Sequence, residues 1–270
     1  MSILLSAYYP EGIVFVADKN ATIITKTTLE ERKYVEPTAT KVLSWPRRRA
    51  VVGFVGLGTL ADYTLDEWFR VFIAETRNFA DVSALATMLR DKIEKDFQQD
   101  YEHDEDLSEF NLVIHLGGFT IKGGFAVPVM YHIWNHYDSI DPKTGEYPPA
   151  GKTFQISEDI EENFKKWPQP EDYPARVRHR LQKMVDERSY LWFSNGANLG
   201  AFNVFRNFVW HALHVIQDHG FAPNLAGLGA RIAFCKMSVE LFGSYFTHHF
   251  FPEDRVVGGG IDVGYIPWPE

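Results

Sequence analysis

The chain has one cysteine, Cys235, fewer cations than anions, and no long apolar run. A lone thiol cannot close a disulfide within the chain. No charged segment leads into a long apolar stretch near the start, so a reducing cytoplasm is the expected location. No apolar run approaches the roughly 20 residues that cross a bilayer as a helix, and no membrane association is expected. Lys and Arg total 27 against 36 Asp and Glu, a formal net charge of -9. Affinity for a phosphate backbone comes mainly from cations, so nucleic acid is not an expected partner. The acidic run Asp100-Tyr101-Glu102-His103-Asp104-Glu105-Asp106 lacks the central glycine of a calcium loop and reads as a solvated loop. His132 and His136 close a strand pattern, where i and i+4 lie about 13 Å apart, too far for one ion. No metal and no cofactor is called for.

What is present is a large supply of core. With 270 residues, 45% of them hydrophobic, the chain can bury about three quarters of its unfolded surface, and one domain spanning 1–270 is expected. The opening reads as two strands buried on both faces: the apolar run from Ile3 to Leu5, a turn at Pro10-Glu11-Gly12, and Ile13 to Asp18. Thr22 to Thr28 extends a strand or crosses the surface. Lys41–Trp45 and Ala50–Val55 form a second pair, and the exit Gly56-Leu57-Gly58 is expected to lead straight into a helix from Thr59 to about Asn78. A second helix follows from Asp81 to about Phe97, then strands at Phe110–Phe119 and Gly124–Trp134. Residues 137–175 are proline-rich and aperiodic apart from a short helical stretch at Glu158–Trp167, and read as an irregular insertion. Helices are expected at Ala175–Glu187 and Leu199–His219, a short strand at Tyr190–Phe193, a turn at Ser194–Asn198, and strands at Gly229–Ser238 and near Val256–Tyr265. His248 and His249 sit among Phe246, Phe250 and Phe251 and read as packing. Strand and helix blocks in this order point to a layered α+β arrangement.

The chemistry begins at the start of the chain. Removal of Met1 would expose Ser2, and a hairpin of the first two strands would bring the chain start beside Asp18, sixteen residues further on. A serine hydroxyl is a weak nucleophile that needs an adjacent base. A free α-amino group on the same residue, with a reference pKa near 8, can take its proton directly or through water.

Three blocks carry a resemblance to a known family. Glu11-Gly12-Ile13-Val14-Phe15-Val16-Ala17-Asp18-Lys19-Asn20-Ala21-Thr22 is the first. Ala39-Thr40-Lys41-Val42, followed by Val52-Gly53-Phe54-Val55-Gly56-Leu57-Gly58-Thr59-Leu60-Ala61-Asp62, is the second, and Phe193-Ser194-Asn195-Gly196-Ala197-Asn198 the third. They resemble the proteasome β-type subunits and their simpler bacterial relatives, well over roughly the first 80 residues and in order of elements beyond. The resemblance implies an N-terminal-nucleophile hydrolase built as a four-layer αββα sandwich of two antiparallel sheets flanked by helices. It assigns Ser2 as nucleophile, Lys41 as the positive charge beside it, Asp18 as the anion that holds this ammonium, and the Gly56 N–H as oxyanion donor. A serine in the family's turn before its third helix, and a later aspartate and serine, have no match at Ala197, Asn198 or Asn224–Gly227. The implied activity is amide hydrolysis, most readily of peptides, in a self-associated ring or helix, with any ATPase partner unspecified. A non-catalytic structural subunit of the same fold and a small-molecule amidase are the alternatives.

Overall fold

Chain regularity follows from where apolar residues fall. The computed structural model describes residues 3–9, 11–19, 21–26, 31–36, 39–46, 49–104, 107, 110–122, 125–135, 151–159, 191–196, 207–208, 211, 227–249 and 260–269. In chain order the described elements are β1 (Ile3–Tyr9), β2 (Gly12–Asp18), β3 (Ala21–Lys26), β4 (Glu31–Glu36), β5 (Val42–Ser44), β6 (Ala50–Gly56), β7 (Thr59–Leu60), β8 (Tyr63–Thr64), α1 (Leu65–Glu75), α2 (Val82–Asp100), β9 (Leu112–Lys122), β10 (Phe125–Trp134), β11 (Gln155–Glu158), β12 (Leu191–Gly196), α3 (Leu228–His249) and β13 (Ile261–Pro267). The fold is mixed α+β with antiparallel sheets. None of the described helices is long and apolar enough to cross a membrane. The chain divides into two compact units, Met1–Val42 with Ala175–Glu270, and Leu43–Pro174.

In the first unit, four strands lie in the order β12-β1-β2-β13, with β3 and β4 as a separate hairpin. Every residue of β1 and β2 is buried, as their largely apolar character predicts, with Ser6 and Asp18 as the polar exceptions. Ile3, Leu5, Ala7 and Tyr9 of β1 and Val14 and Val16 of β2 pack against Phe234, Cys235, Val239 and Phe242 of α3. This helix replaces the strand expected at Gly229–Ser238. Its buried positions, Arg231, Phe234, Cys235, Ser238, Val239 and Phe242, recur at intervals of three and four, the helical period. Ile232 and Phe234 look like alternation only in a short window. The turn expected at Ser194–Asn198 is also corrected: Ser194, Asn195 and Gly196 are extended, pairing with Leu5, Leu4 and Ile3. Ala197 and Asn198, and the helix expected at Ala175–Glu187, lie outside the described residues. Of the helix expected at Leu199–His219, the described residues Asn207, Phe208 and His211 are helical.

In the second unit the strand order is β11-β10-β9-β6-β5. Val52 and Phe54 of β6, Leu112, Ile114 and Leu116 of β9 and Ile133 of β10 share a core with Trp68, Phe69 and Phe72 of α1 and Leu85, Leu89, Ile93 and Phe97 of α2. The first helix does not follow directly from Gly58. The chain first makes a two-residue hairpin, β7–β8, whose turn residues Ala61 and Asp62 have φ of 51° and 63°. Ala61 donates its N–H to the Asp100 carboxylate. Helix α1 then starts at a capping box, in which the Thr64 N–H and hydroxyl both donate to Glu67. Asp81 caps α2 by accepting from the N–H groups of Ser83 and Ala84. Part of the expected insertion is regular: Gln155–Glu158 pairs with Tyr131–Trp134 as an edge strand. The rest of its expected helix, from residue 160, lies outside the described residues.

Candidate active site

Asp18 ends β2, and Ile3 opens β1, the strand beside it. Hairpin pairing from Tyr9↔Gly12 to Leu4↔Ala17 carries the two together. The Asp18 carboxylate is fully buried, and its Oδ1 accepts the Ile3 N–H at 2.7 Å and the Lys41 ammonium at 3.3 Å. Ile3 follows Ser2 by one peptide bond, and it is this bond's N–H that Asp18 holds. Ser2 itself lies outside the described residues.

Lys41 stands immediately before β5 and is 4% exposed. Its main-chain N–H donates to Asp262 Oδ2 on β13, at 2.5 Å. Asp262 Oδ1 meets the Lys19 ammonium at 3.2 Å, and the Lys19 N–H donates to the Gly260 carbonyl. Pairing of Ile261 with Asp18 and Asp262 with Ala17 sets the two acids on neighbouring strands. Two carboxylates and two ammonium groups thus alternate along one network within the first unit.

Burial pushes the Lys41 ammonium below the usual lysine range, because desolvation penalises its charged form. The charge of Asp18, its hydrogen bond and the charge of Asp262 push the other way, and burial prevails. Such an amine can steady a developing alkoxide while charged, and gives up its proton more readily than a solvated lysine.

Of the four residues singled out from the sequence, the structure joins Asp18 to Lys41. Gly56 belongs to the second unit, where it ends β6 opposite Leu112 with φ +115°. A Cβ there would lie 1.9 Å from the Asn111 carbonyl oxygen, which also accepts the Leu57 N–H. Close backbone approach alone therefore requires glycine at this position. Asp262 and Lys19 were not singled out from the sequence. The available signal was a carboxylate inside an otherwise apolar strand, Ile261-Asp262-Val263, where a charge is rarely buried without a partner.

The remaining candidates fall elsewhere. His132 lies on β10, its Nδ1 3.8 Å from Asp159 and its ring 5.4 Å from that of His115, while His136 lies outside the described residues. No group of three or more His, Cys, Asp or Glu able to hold a metal occurs among the described residues. His248 and His249 end α3. At the other end of α3, the Gly227 N–H lies 3.4 Å from Glu11, and residues 224–226 lie outside the described residues.

No family model matches the chain, and comparison with curated proteins gives no match. Among solved structures, the chain is similar to Anbu (ancestral beta-subunit) from Yersinia bercovieri, at 15% identity and a TM-score of 0.46, over 98% of this chain and 81% of that one. It is also similar to an Anbu (Gly-1) mutant from Hyphomicrobium sp. strain MC1, at 14% identity and a TM-score of 0.43, over 99% of this chain and 82% of that one. These neighbours correct the resemblance to the proteasome β-type subunits, since Anbu proteins are a proteasome-like but distinct family. The resemblance rested on short stretches around Asp18, around Lys41 and Gly56, and at Phe193–Asn198. Those stretches include strand residues of the β1–β2 hairpin, the buried Asp18–Lys41 pair and the close backbone approach at Gly56.

Proposed function

We propose that the protein is an N-terminal serine amide hydrolase, with Ser2 as nucleophile once Met1 is removed. The observation that carries this reading is the doubly bonded Asp18 carboxylate, which ties the N–H directly after Ser2 to a buried lysine. In the proposed cycle the α-amino group of Ser2 takes the hydroxyl proton as the oxygen attacks a substrate carbonyl. The Lys41 ammonium stabilises the alkoxide, and Asp18 keeps that ammonium oriented. The tetrahedral intermediate collapses to an ester on Ser2 with loss of the amine, which takes up the proton, and water then releases the acid. The Gly56 N–H is the proposed oxyanion donor. A four-layer αββα sandwich is the proposed architecture, supported within each unit by an antiparallel sheet with helix packed on it. Peptides are the proposed substrates, and self-association in a ring or helix the proposed assembly.

The test is intact mass before and after incubation with an electrophile that traps N-terminal nucleophiles. The expected result is loss of Met1 and one adduct on Ser2, abolished in Ser2→Ala. Retained Met1, or an unlabelled chain start, overturns the hydrolase reading and favours a non-catalytic subunit.

A further inference from the structure

Lys41 is held at two points by two different acids. Its ammonium meets Asp18 on β2, and its main-chain N–H meets Asp262 on β13. The main-chain contact matters because Lys41 precedes β5. A lysine side chain has four rotatable bonds, so fixing only its tip leaves its root free to drift. Asp262 is itself built in: it is 9% exposed, pairs across the ladder with Ala17, and meets the Lys19 ammonium. Its two oxygens have separate tasks, Oδ2 for the Lys41 main chain and Oδ1 for Lys19.

We propose, resting on the hydrolase reading above, that Asp262 is a positioning residue that fixes the main-chain end of Lys41 and, with Lys19 as counter-charge, biases the charge on its ammonium. It touches neither the nucleophile nor the substrate in this scheme and acts through Lys41. Among the described residues, Asp18 and Asp262 bear on the lysine in this way, and Lys19 does so through Asp262. The negative charge of Asp262 favours the protonated lysine, in agreement with its effect on Lys41 noted above. Lys19 offsets that charge. Opposite substitutions must therefore move Lys41 in opposite directions, which a role in packing alone would not do.

The experiment follows the 13Cε resonance of Lys41 against pH in isotopically labelled full-length protein, assigned by its absence in Lys41→Arg. Asp262→Asn keeps an acceptor for the Lys41 N–H but removes the charge, and the midpoint moves to lower pH. Lys19→Gln, at a side chain one-third exposed, moves it to higher pH. With a peptide-amide substrate, Asp262→Asn brings the alkaline limb of kcat/KM to lower pH and lowers kcat on the order of tenfold, with KM unchanged. An unshifted Lys41 midpoint in both variants overturns the inference, as does a pH profile identical to wild type. Should Asp262→Asn not fold, Lys19→Gln carries the same test. Failure of the hydrolase reading appears separately, as a wild-type chain start that no electrophile labels, and leaves the titration readable.

Discussion

The Ile3 N–H and the Asp18 carboxylate lie 2.7 Å apart, with the Lys41 ammonium on the same oxygen. The carboxylate is thus both a strand-end acceptor and half of a buried ion pair. Removing one partner from such a pair strands the other charge, at about 3–5 kcal/mol. Asp18→Ala is therefore expected to lower the urea midpoint by that much stability. The double variant Asp18→Ala, Lys41→Met is expected to be more stable than Asp18→Ala alone, because no buried charge is left unpaired. Equal midpoints for the single and double variants would show that the pair is not electrostatically coupled.

Lys41 also fixes a sign for pH dependence. Its folded pKa lies below the ordinary value of 10.5, so in the window just below 10.5 the unfolded chain binds more protons than the folded one. Stability attributable to Lys41 therefore rises with pH across that window. Urea midpoints of wild type minus those of Lys41→Arg, measured through the alkaline range, should climb. Tyr101 has the opposite sign: burial first, then the charges of Asp100 and Asp104, push its phenol up to about 12. Its contribution is complete below pH 10 and is lost between about pH 10 and 12, and Tyr101→Phe should remove that fall.

The β7–β8 turn holds two non-glycine residues at positive φ. Aspartate tolerates this region better than alanine does. Ala61→Gly is accordingly expected to stabilise the protein by about 0.5–1 kcal/mol, and Asp62→Gly by less. Thermal melts of the two variants check the ranking; destabilisation by Ala61→Gly would mean the turn is not strained.

Gly56 faces the reverse situation. A methyl group there meets the Asn111 carbonyl at 1.9 Å, on a backbone with φ +115°. Gly56→Ala is expected to cost more than about 3 kcal/mol or to prevent folding. Near-ultraviolet circular dichroism and denaturant midpoints settle the point, and lost activity in this variant cannot by itself assign an oxyanion role.

The sequence was most legible where one physical signal dominated. The β1–β2 hairpin followed from its apolar runs and Pro/Gly turn, and α2 from apolar residues at helical spacing after an aspartate cap. The strands expected at Phe110–Phe119 and Gly124–Trp134 run as β9 and β10 from Leu112 to Lys122 and from Phe125 to Trp134. Where two signals compete the reading failed. In α3, Ile232 and Phe234 imitate a strand inside a longer helical period. At Thr59 the chain has enough helical pattern to hide a two-residue hairpin whose turn donates the Ala61 N–H to Asp100, forty-one residues beyond Thr59. Asp18 and Lys41 were readable because they sit in motif-like stretches. Asp262 was not, since its partners lie 221 and 243 residues away in sequence, and only the β2–β13 ladder brings them near.

The strand order β12-β1-β2-β13 also imposes a sequence of events on a growing chain. Strand β1 gains β2 at once, but its other neighbour begins at Leu191, 182 residues after Tyr9. At about 5–20 residues per second, a ribosome needs on the order of 10–40 s to supply it. Throughout that interval a hairpin that is apolar apart from Ser6 and Asp18 keeps an unpaired edge. Protection of this edge during synthesis is therefore a requirement separate from the stability of the finished sheet.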